Sequence, residues 1–212
     1  MARALAAIPW TVLFLGCYAA TVHLGVLGDY PQAGLIALAA LAVWLLRPGL
    51  RVRHPGAWLA LAVVAAVTAA GLGTGRALAV LYLPPVLVTL MLLLVFAASL
   101  LPGRTPLITA VALQMGETDT PAVRRYTRRV TWGWSLLFAV LAAQNTALAL
   151  WASPAVWSLF ANILNYVIVA AAFLVEFRLR HRFLPGHRYP SFTGFVRGLA
   201  AHGGPWRGKR PS

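Results

Sequence analysis

The chain has 212 residues, 60% of them hydrophobic and 10% charged, whereas a soluble globular domain averages roughly 45–50% apolar and about 25% charged. Eighteen Lys and Arg against four Asp and Glu give a formal net charge of +14; in so apolar a chain this points to an anionic membrane surface or an acidic partner, not to nucleic acid. Cys17 is the single cysteine, which excludes an intrachain disulfide and a cysteine metal cluster.

Apolar runs close to the ~20 residues that cross a ~30 Å hydrocarbon core predict membrane spans over 6–28, 32–47, 56–75, 77–101, 131–152 and 155–176. The expected fold is all-α, a polytopic transmembrane helical bundle of about six spans. The first run continues past Cys17 through Val22 and Val26, so an uncleaved span is expected there and not a lipoprotein leader. It carries His23 near its outer end, with Asp29 in the turn that follows. The second run is short. Only a tight turn around Gly73, Gly75 and Arg76 separates the third and fourth. Pro84-Pro85 lies inside the fourth span. Proline removes a backbone donor and clashes with the preceding turn, so a kink or short break is expected there.

A cytoplasmic interfacial segment is expected over 102–130. Thr105-Pro106, an apolar run from Leu107 to Met115, and Gly116 have the start and stop signals of a helix. At about ten residues it is too short to span, so it should be interfacial or re-entrant. After Glu117 and Asp119, Thr120-Pro121 opens another helix, with a capping hydroxyl and proline at the first position. This helix carries Arg124, Arg125, Arg128 and Arg129 on an arc of about 140°, at ~100° per residue. Val123, Tyr126, Thr127 and Val130 lie opposite. That pattern suits a helix lying on the membrane surface before the chain turns into the fifth span. Four guanidiniums can bind lipid phosphates, the phosphate of a carrier-bound or nucleotide-activated acyl group, or an acidic partner protein. They can also serve topology and generic lipid contact alone, with Glu117 and Asp119 as counter-charges. Arginine stays protonated, so acid–base chemistry here would need Glu117, Asp119, Tyr126 or a distant residue.

The last two spans carry amides: Gln144 and Asn145 in the fifth, Asn162 and Asn165 with Tyr166 in the sixth. Counted from the turn at Ser153-Pro154, Gln144 and Asn162 should share a depth. The i, i+3, i+4 spacing puts Asn162, Asn165 and Tyr166 on one helix face. Interhelical hydrogen bonds worth roughly 0.6–2 kcal/mol each are one reading, and a polar substrate cavity is the other. Glu176 ends the sixth span, where an ion pair to the arginine helix is expected. Beyond 184 the chain is rich in Gly, Pro, Arg and His, and is expected to be a basic, largely disordered cytoplasmic tail over 184–212.

With both termini inside, six spans put Arg3, Arg47, Arg51, Arg53, Arg104, the four arginines from Arg124 to Arg129, and everything from Arg178 to Arg210 on the cytoplasmic face. That is 17 of the 18 Lys and Arg, leaving only Arg76 outside. The positive-inside rule therefore supports N-in/C-in and six spans together. Trp10, Trp44, Trp58, Trp132 and Trp134 fall near inner span ends, and Trp151 and Trp157 flank the outer turn, as expected of interfacial aromatic belts. No phosphate loop, nucleophile elbow or zinc-protease motif is present, and nothing points to a metal or cofactor.

The stretches Leu83-Pro84-Pro85, Pro106-Leu107-Ile108, Gly116-Glu117, Arg125-Tyr126-Thr127-Arg128-Arg129-Val130-Thr131-Trp132, Asn162-Ile163-Leu164-Asn165-Tyr166 and Glu176-Phe177-Arg178 resemble a family of uncharacterised bacterial inner-membrane proteins. Members of that family accompany acyl carrier protein, ketosynthase, dehydratase and acyltransferase genes in clusters for aryl polyene pigments of the xanthomonadin type. The resemblance covers roughly residues 80–185. Some family members carry a gyrase-subunit label, which would require a soluble ATP-binding domain that this composition does not provide. The resemblance implies a pathway context, not a reaction. The expected role is an accessory or scaffold component in the inner membrane that holds acyl carrier protein or soluble acyl-chain enzymes on the arginine helix. A small transporter or flippase for a lipid-like product is the alternative. A membrane enzyme acting on an acyl or lipid-phosphate substrate through Glu117 or Asp119 is a second.

Overall fold

The computed structural model describes residues 7–183; the expected basic tail lies outside them. All regular structure among the described residues is helical. In chain order the helices are α1 (Ala7–Leu27), α2 (Pro31–Arg51), α3 (Pro55–Gly73), α4 (Ala77–Ser99), α5 (Leu107–Gln114), α6 (Pro121–Trp151), α7 (Pro154–Leu159) and α8 (Asn165–Phe183), with a π-helical turn, Phe160–Leu164, between the last two. Five stretches are long and apolar enough to cross a membrane: α2, α3, α4, α6 and the run Pro154–Arg180. α1 adds a shorter apolar segment, Val12–Leu27. Large apolar side chains such as Leu87, Leu94, Leu136 and Val167 are exposed on these helices. Helices apolar on their outward faces as well as inside need lipid around them, so this is a multi-pass membrane protein.

The described residues form two compact units, one reaching Leu81 and the other beginning at Tyr82. In the first, α1 packs on α2 and α2 on α3. Gly34 is buried where any Cβ would stand 2.9 Å from Leu81 Cδ1 and 3.2 Å from Val22 Cγ2. Gly71 leaves the same kind of room for Val80 and Leu35. Small residues let membrane helices approach closely, and packing then supplies the attraction that water would otherwise supply. α2 runs to Arg51, a full turn past the expected end at 47, and includes Pro48. Near this end Trp44 stacks on Phe14 at 4.1 Å, and the Arg47 guanidinium lies 3.4 Å from the Trp44 ring centre.

In the second unit, Trp134, Phe138 and Leu141 of α6 form a buried core with Phe96, Ile108, Ile168 and Ala172 around it. Trp134 is thus a core residue and not part of an interfacial belt, and Trp157 is fully buried as well. Trp132 and Trp151 are exposed.

Of the kink or short break expected at Pro84-Pro85, the break does not form, and the expected surface helix is corrected. α4 remains helical through Pro84 and Pro85. The Thr89 hydroxyl donates to the Pro85 carbonyl at 2.7 Å, and the Asn145 amide donates to it at 3.4 Å. A departure from α-helical hydrogen bonding is found in the π-helical turn at Phe160–Leu164. The arginine helix is also not a separate surface helix, because α6 is one element of 31 residues from Pro121 to Trp151. At 1.5 Å per residue it is about 46 Å long, enough to cross the hydrocarbon and carry its first turns into the headgroup region.

Candidate functional site

The arginine-bearing start of α6 is set by its cap and by its neighbour α5. Thr120 accepts from the Val123 N–H at 3.3 Å, with Pro121 at the first helical position. Behind it runs a seam of hydroxyls at four-residue spacing. Thr127 donates to the Val123 carbonyl, Thr131 to the Thr127 carbonyl and Ser135 to the Thr131 carbonyl, all at 2.8–2.9 Å. The short helix α5 docks on this seam. The Thr109 and Thr127 hydroxyls are hydrogen-bonded at 2.7 Å, with Thr109 donating because the Thr127 proton goes to the Val123 carbonyl, and the Ile108 N–H donates to Thr131 Oγ1 at 3.4 Å. The Leu107 N–H donates to Ser99 Oγ at 2.9 Å. The first N–H groups of α5, which no helix can satisfy internally, are therefore met by side chains. Gly116, at a φ of 90°, turns the chain out after α5.

The four arginines separate into different environments. Arg124 is held by Asp119 in a two-point ion pair, Nε to Oδ1 and Nη2 to Oδ2, each 2.6 Å. The guanidinium beside it holds the Asp119 carboxyl below the usual carboxylate range. Arg125, Arg128 and Arg129 are exposed and engage no carboxylate among the described residues. Glu117, half-buried after α5, makes no ion pair there either. Glu176 does not meet an arginine of α6. It accepts from Arg180 on its own helix, at 2.8 and 2.9 Å, and Tyr126 of α6 donates to it at 3.3 Å. Tyr126, not an arginine, ties α6 to α8.

A cleft of about 570 Å³ runs between α6 and α8. Arg125, Tyr126, Arg129 and Glu176 line one part of it, and Gly133, Leu137, Ala172 and Val175 line the next, with Trp134 against the wall. Arg124 and Arg128 are not among its lining residues. At ~100° per residue Arg125 and Arg129 face the cleft side of α6, while Arg124 and Arg128 lie further round the helix.

The amides form a second cluster, deeper along the same two helices. Gln144 Nε2 donates to Asn165 Oδ1 at 2.9 Å, and Asn165 Nδ2 donates to Asn145 Oδ1 at 2.8 Å. Gln144 and Asn162, expected at a shared depth, bond different partners. Asn162 sits in the π-helical turn and donates to the Ser158 carbonyl at 3.1 Å and to its hydroxyl at 3.3 Å. Tyr166 points outward and is exposed. Asn145, Asn162 and Asn165 are buried and spend their amide groups on one another and on backbone, so the cluster is a packing device. His23, in the other unit, is half-buried, and Asp29 in the turn beyond is exposed. No group of three or more His, Cys, Asp or Glu among the described residues is placed to hold a metal.

Sequence reasoning missed the hydroxyl seam and the cleft. Thr127, Thr131 and Ser135 at i, i+4, i+8 were readable as one stripe. The cleft had a fainter trace in the small residues Ala122, Gly133 and Ala172, which leave its space open. Comparison of the chain with protein-family models, with curated proteins and with solved structures gives no match.

Proposed function

We propose that this chain is an accessory, non-enzymatic component of the bacterial inner membrane that docks an acidic partner on the start of α6. In this reading α1 completes six spans, both termini are cytoplasmic, and α5 lies at the cytoplasmic interface. Support for the orientation is the charge count, 17 of 18 Lys and Arg on one side. The observation that carries the docking role is the set Arg125, Arg128 and Arg129: three exposed guanidiniums on one helix end, none engaged by a carboxylate among the described residues. Charge arranged in this way steers an acidic protein and fixes its orientation more than it adds raw affinity. The sequence resemblance supplies the partner class, an acyl carrier protein or a soluble acyl-chain enzyme of an aryl polyene or related lipid pathway. Of the residues that a transport reading would use as a polar cavity, Gln144, Asn145 and Asn165 are hydrogen-bonded to one another and Asn162 to Ser158.

The test is a pull-down of an acidic carrier protein by the full chain and by the triple variant Arg125→Gln/Arg128→Gln/Arg129→Gln. Capture should fall by at least about tenfold in the variant, and should weaken with added salt in the wild type, because the contacts are exposed and screened. Undiminished capture by the triple variant would overturn the reading. Reporter fusions at both termini check that orientation is kept; Arg104 and Arg124 remain in the same loop to maintain it.

A further inference from the structure

The cleft between α6 and α8 is amphipathic along its length. Tyr126 pairs with Glu176 and Asn165 with both Gln144 and Asn145, so the two helices run antiparallel and their lining residues can be ordered. Arg125, Tyr126, Arg129 and Glu176 occupy one end. Every lining residue of α6 after Arg129 is apolar, through Gly133 to Leu137, and Ala172 and Val175 face them from α8. From Arg129 to Leu137 is about 12 Å along the helix, the length of the better part of an acyl chain. The volume, about 570 Å³, lies in the range of small-ligand sites, ~300–1,000 Å³, and is far too small for a protein domain.

The charge at the polar end is net positive. Glu176 is already matched by Arg180 at 2.8 Å and by the Tyr126 hydroxyl. Arg125 and Arg129 have no such carboxylate among the described residues. Two guanidiniums four residues apart on one helix face offer a phosphate several charge-assisted hydrogen bonds. The cleft is also reachable from the side. Both helices belong to stretches able to cross a membrane, and Val175 and Leu179 on its rim are exposed. A chain in the bilayer can enter sideways without leaving an apolar medium.

We propose that this cleft holds one acyl chain of an anionic phospholipid drawn from the surrounding bilayer, with the lipid phosphate between Arg125 and Arg129. The inference uses the cleft alone and stands whether or not a carrier protein docks. Gly133 provides an unusual handle. A Cβ built there meets nothing within 4 Å, so a larger side chain would enter the cleft and not the packed core.

The experiment uses the full chain in phosphatidylcholine nanodiscs containing a small fraction of phosphatidylglycerol with a photoactivatable group in one acyl chain. Labelled positions are mapped by mass spectrometry. Labelling should concentrate on the segments around Gly133–Leu137 and Ala172–Val175, and exceed that from an equally modified phosphatidylcholine. Gly133→Leu should remove it. Arg125→Gln/Arg129→Gln should reduce it by about tenfold or more, since each arginine contributes hydrogen bonds to a charged group. Arg128→Gln should leave it unchanged while weakening carrier capture, which separates failure of this site from failure of the docking face. Circular dichroism checks folding, and the double arginine variant, altered only at exposed side chains, carries the test should Gly133→Leu not fold. Equal labelling by the two lipids, or labelling indifferent to both variants, would overturn the proposal and leave only ordinary contact with surrounding lipid. A wild-type dimer that Gly133→Leu converts to a monomer would overturn it in favour of a second copy filling the cleft.

Discussion

Up to Leu81 the helices meet where side chains are missing, whereas between Tyr82 and Phe183 they meet through polar atoms. In the first region Gly34 and Gly71 make room for Leu81, Val22, Val80 and Leu35. In the second, Thr109 meets Thr127, Gln144 and Asn145 meet Asn165, and Tyr126 meets Glu176. Lipid offers helices no hydrophobic reason to associate, so both solutions are available to a membrane protein. They differ in what they specify. Close packing of small residues rewards contact broadly, while a hydrogen bond between named atoms rewards one register. The region built on register is the one that holds a cleft and an ordered set of arginines, and a binding site requires side chains fixed to within a fraction of an ångström.

Glycine replacement should give the largest effect that breaks this comparison. At Gly34 the nearest atoms to an added Cβ are the tips of Leu81 and Val22. Alanine can be absorbed by a small movement of those tips, and its better helix propensity offsets the cost, so Gly34→Ala should be close to neutral. Gly34→Leu cannot be absorbed and should destabilise by about 1–3 kcal/mol, the usual cost of overpacking. Denaturation of the purified protein followed by circular dichroism measures both. A neutral Gly34→Leu would mean that the first region is not packed as tightly as its geometry states.

The hydroxyl seam should respond on a smaller scale and in a different pattern. Thr127→Val leaves the buried Thr109 hydroxyl without its partner at 2.7 Å and should cost about 1 kcal/mol. Thr109→Val alone should cost a similar amount. Replacing both removes donor and acceptor together and should cost less than the sum, because no buried polar atom is stranded. Additive losses would show that the two hydroxyls do not interact.

Much of this was legible before any coordinates. The five long apolar stretches follow from apolar length, and several ends follow from capping chemistry: Thr120-Pro121 starts α6, Ser153-Pro154 starts α7, and Gly116 follows α5. What escaped was set by contacts between distant residues or by local hydrogen bonds that leave little trace in composition. The arginine stretch joins the fifth span without a turn, and Thr127 and Thr131 return their hydroxyls to carbonyls one turn back without breaking it. The π-helical turn at Phe160–Leu164 changes the helical register, and counting residues from Ser153 puts Gln144 level with Asn162 without revealing that its hydrogen-bond partner is Asn165. Trp134 sits near a span end in sequence but packs at 4.5 Å from Phe173, a neighbour that sequence distance hides. The arginine cluster was visible as four residues. Its division among an ion pair, a cleft and an open face was not, because that depends on Asp119 five residues back and on α8.

That division gives the smallest expected effect. Asp119 and Arg124 are both about half exposed, 48% and 53%, so solvent and salt screen the pair heavily and its removal should leave overall stability unmoved within error. The ionisation of Asp119 should still register it. Arg124 lowers the Asp119 pKa in the folded chain, so the folded state binds fewer protons than the unfolded state between the two pKa values. The pair's contribution is therefore fully present above the unfolded pKa and is lost as pH falls through the folded one. Carbon-detected NMR of the carboxyl should show Asp119 titrating below the ordinary range of an aspartate, and Arg124→Gln should restore an ordinary midpoint. Asp119→Asn should release Arg124 as a fourth unpaired guanidinium and raise carrier capture at low salt. If Asp119 titrates like an unpaired carboxyl, Arg124 is not withheld, and the start of α6 presents four equivalent arginines instead of a sorted set.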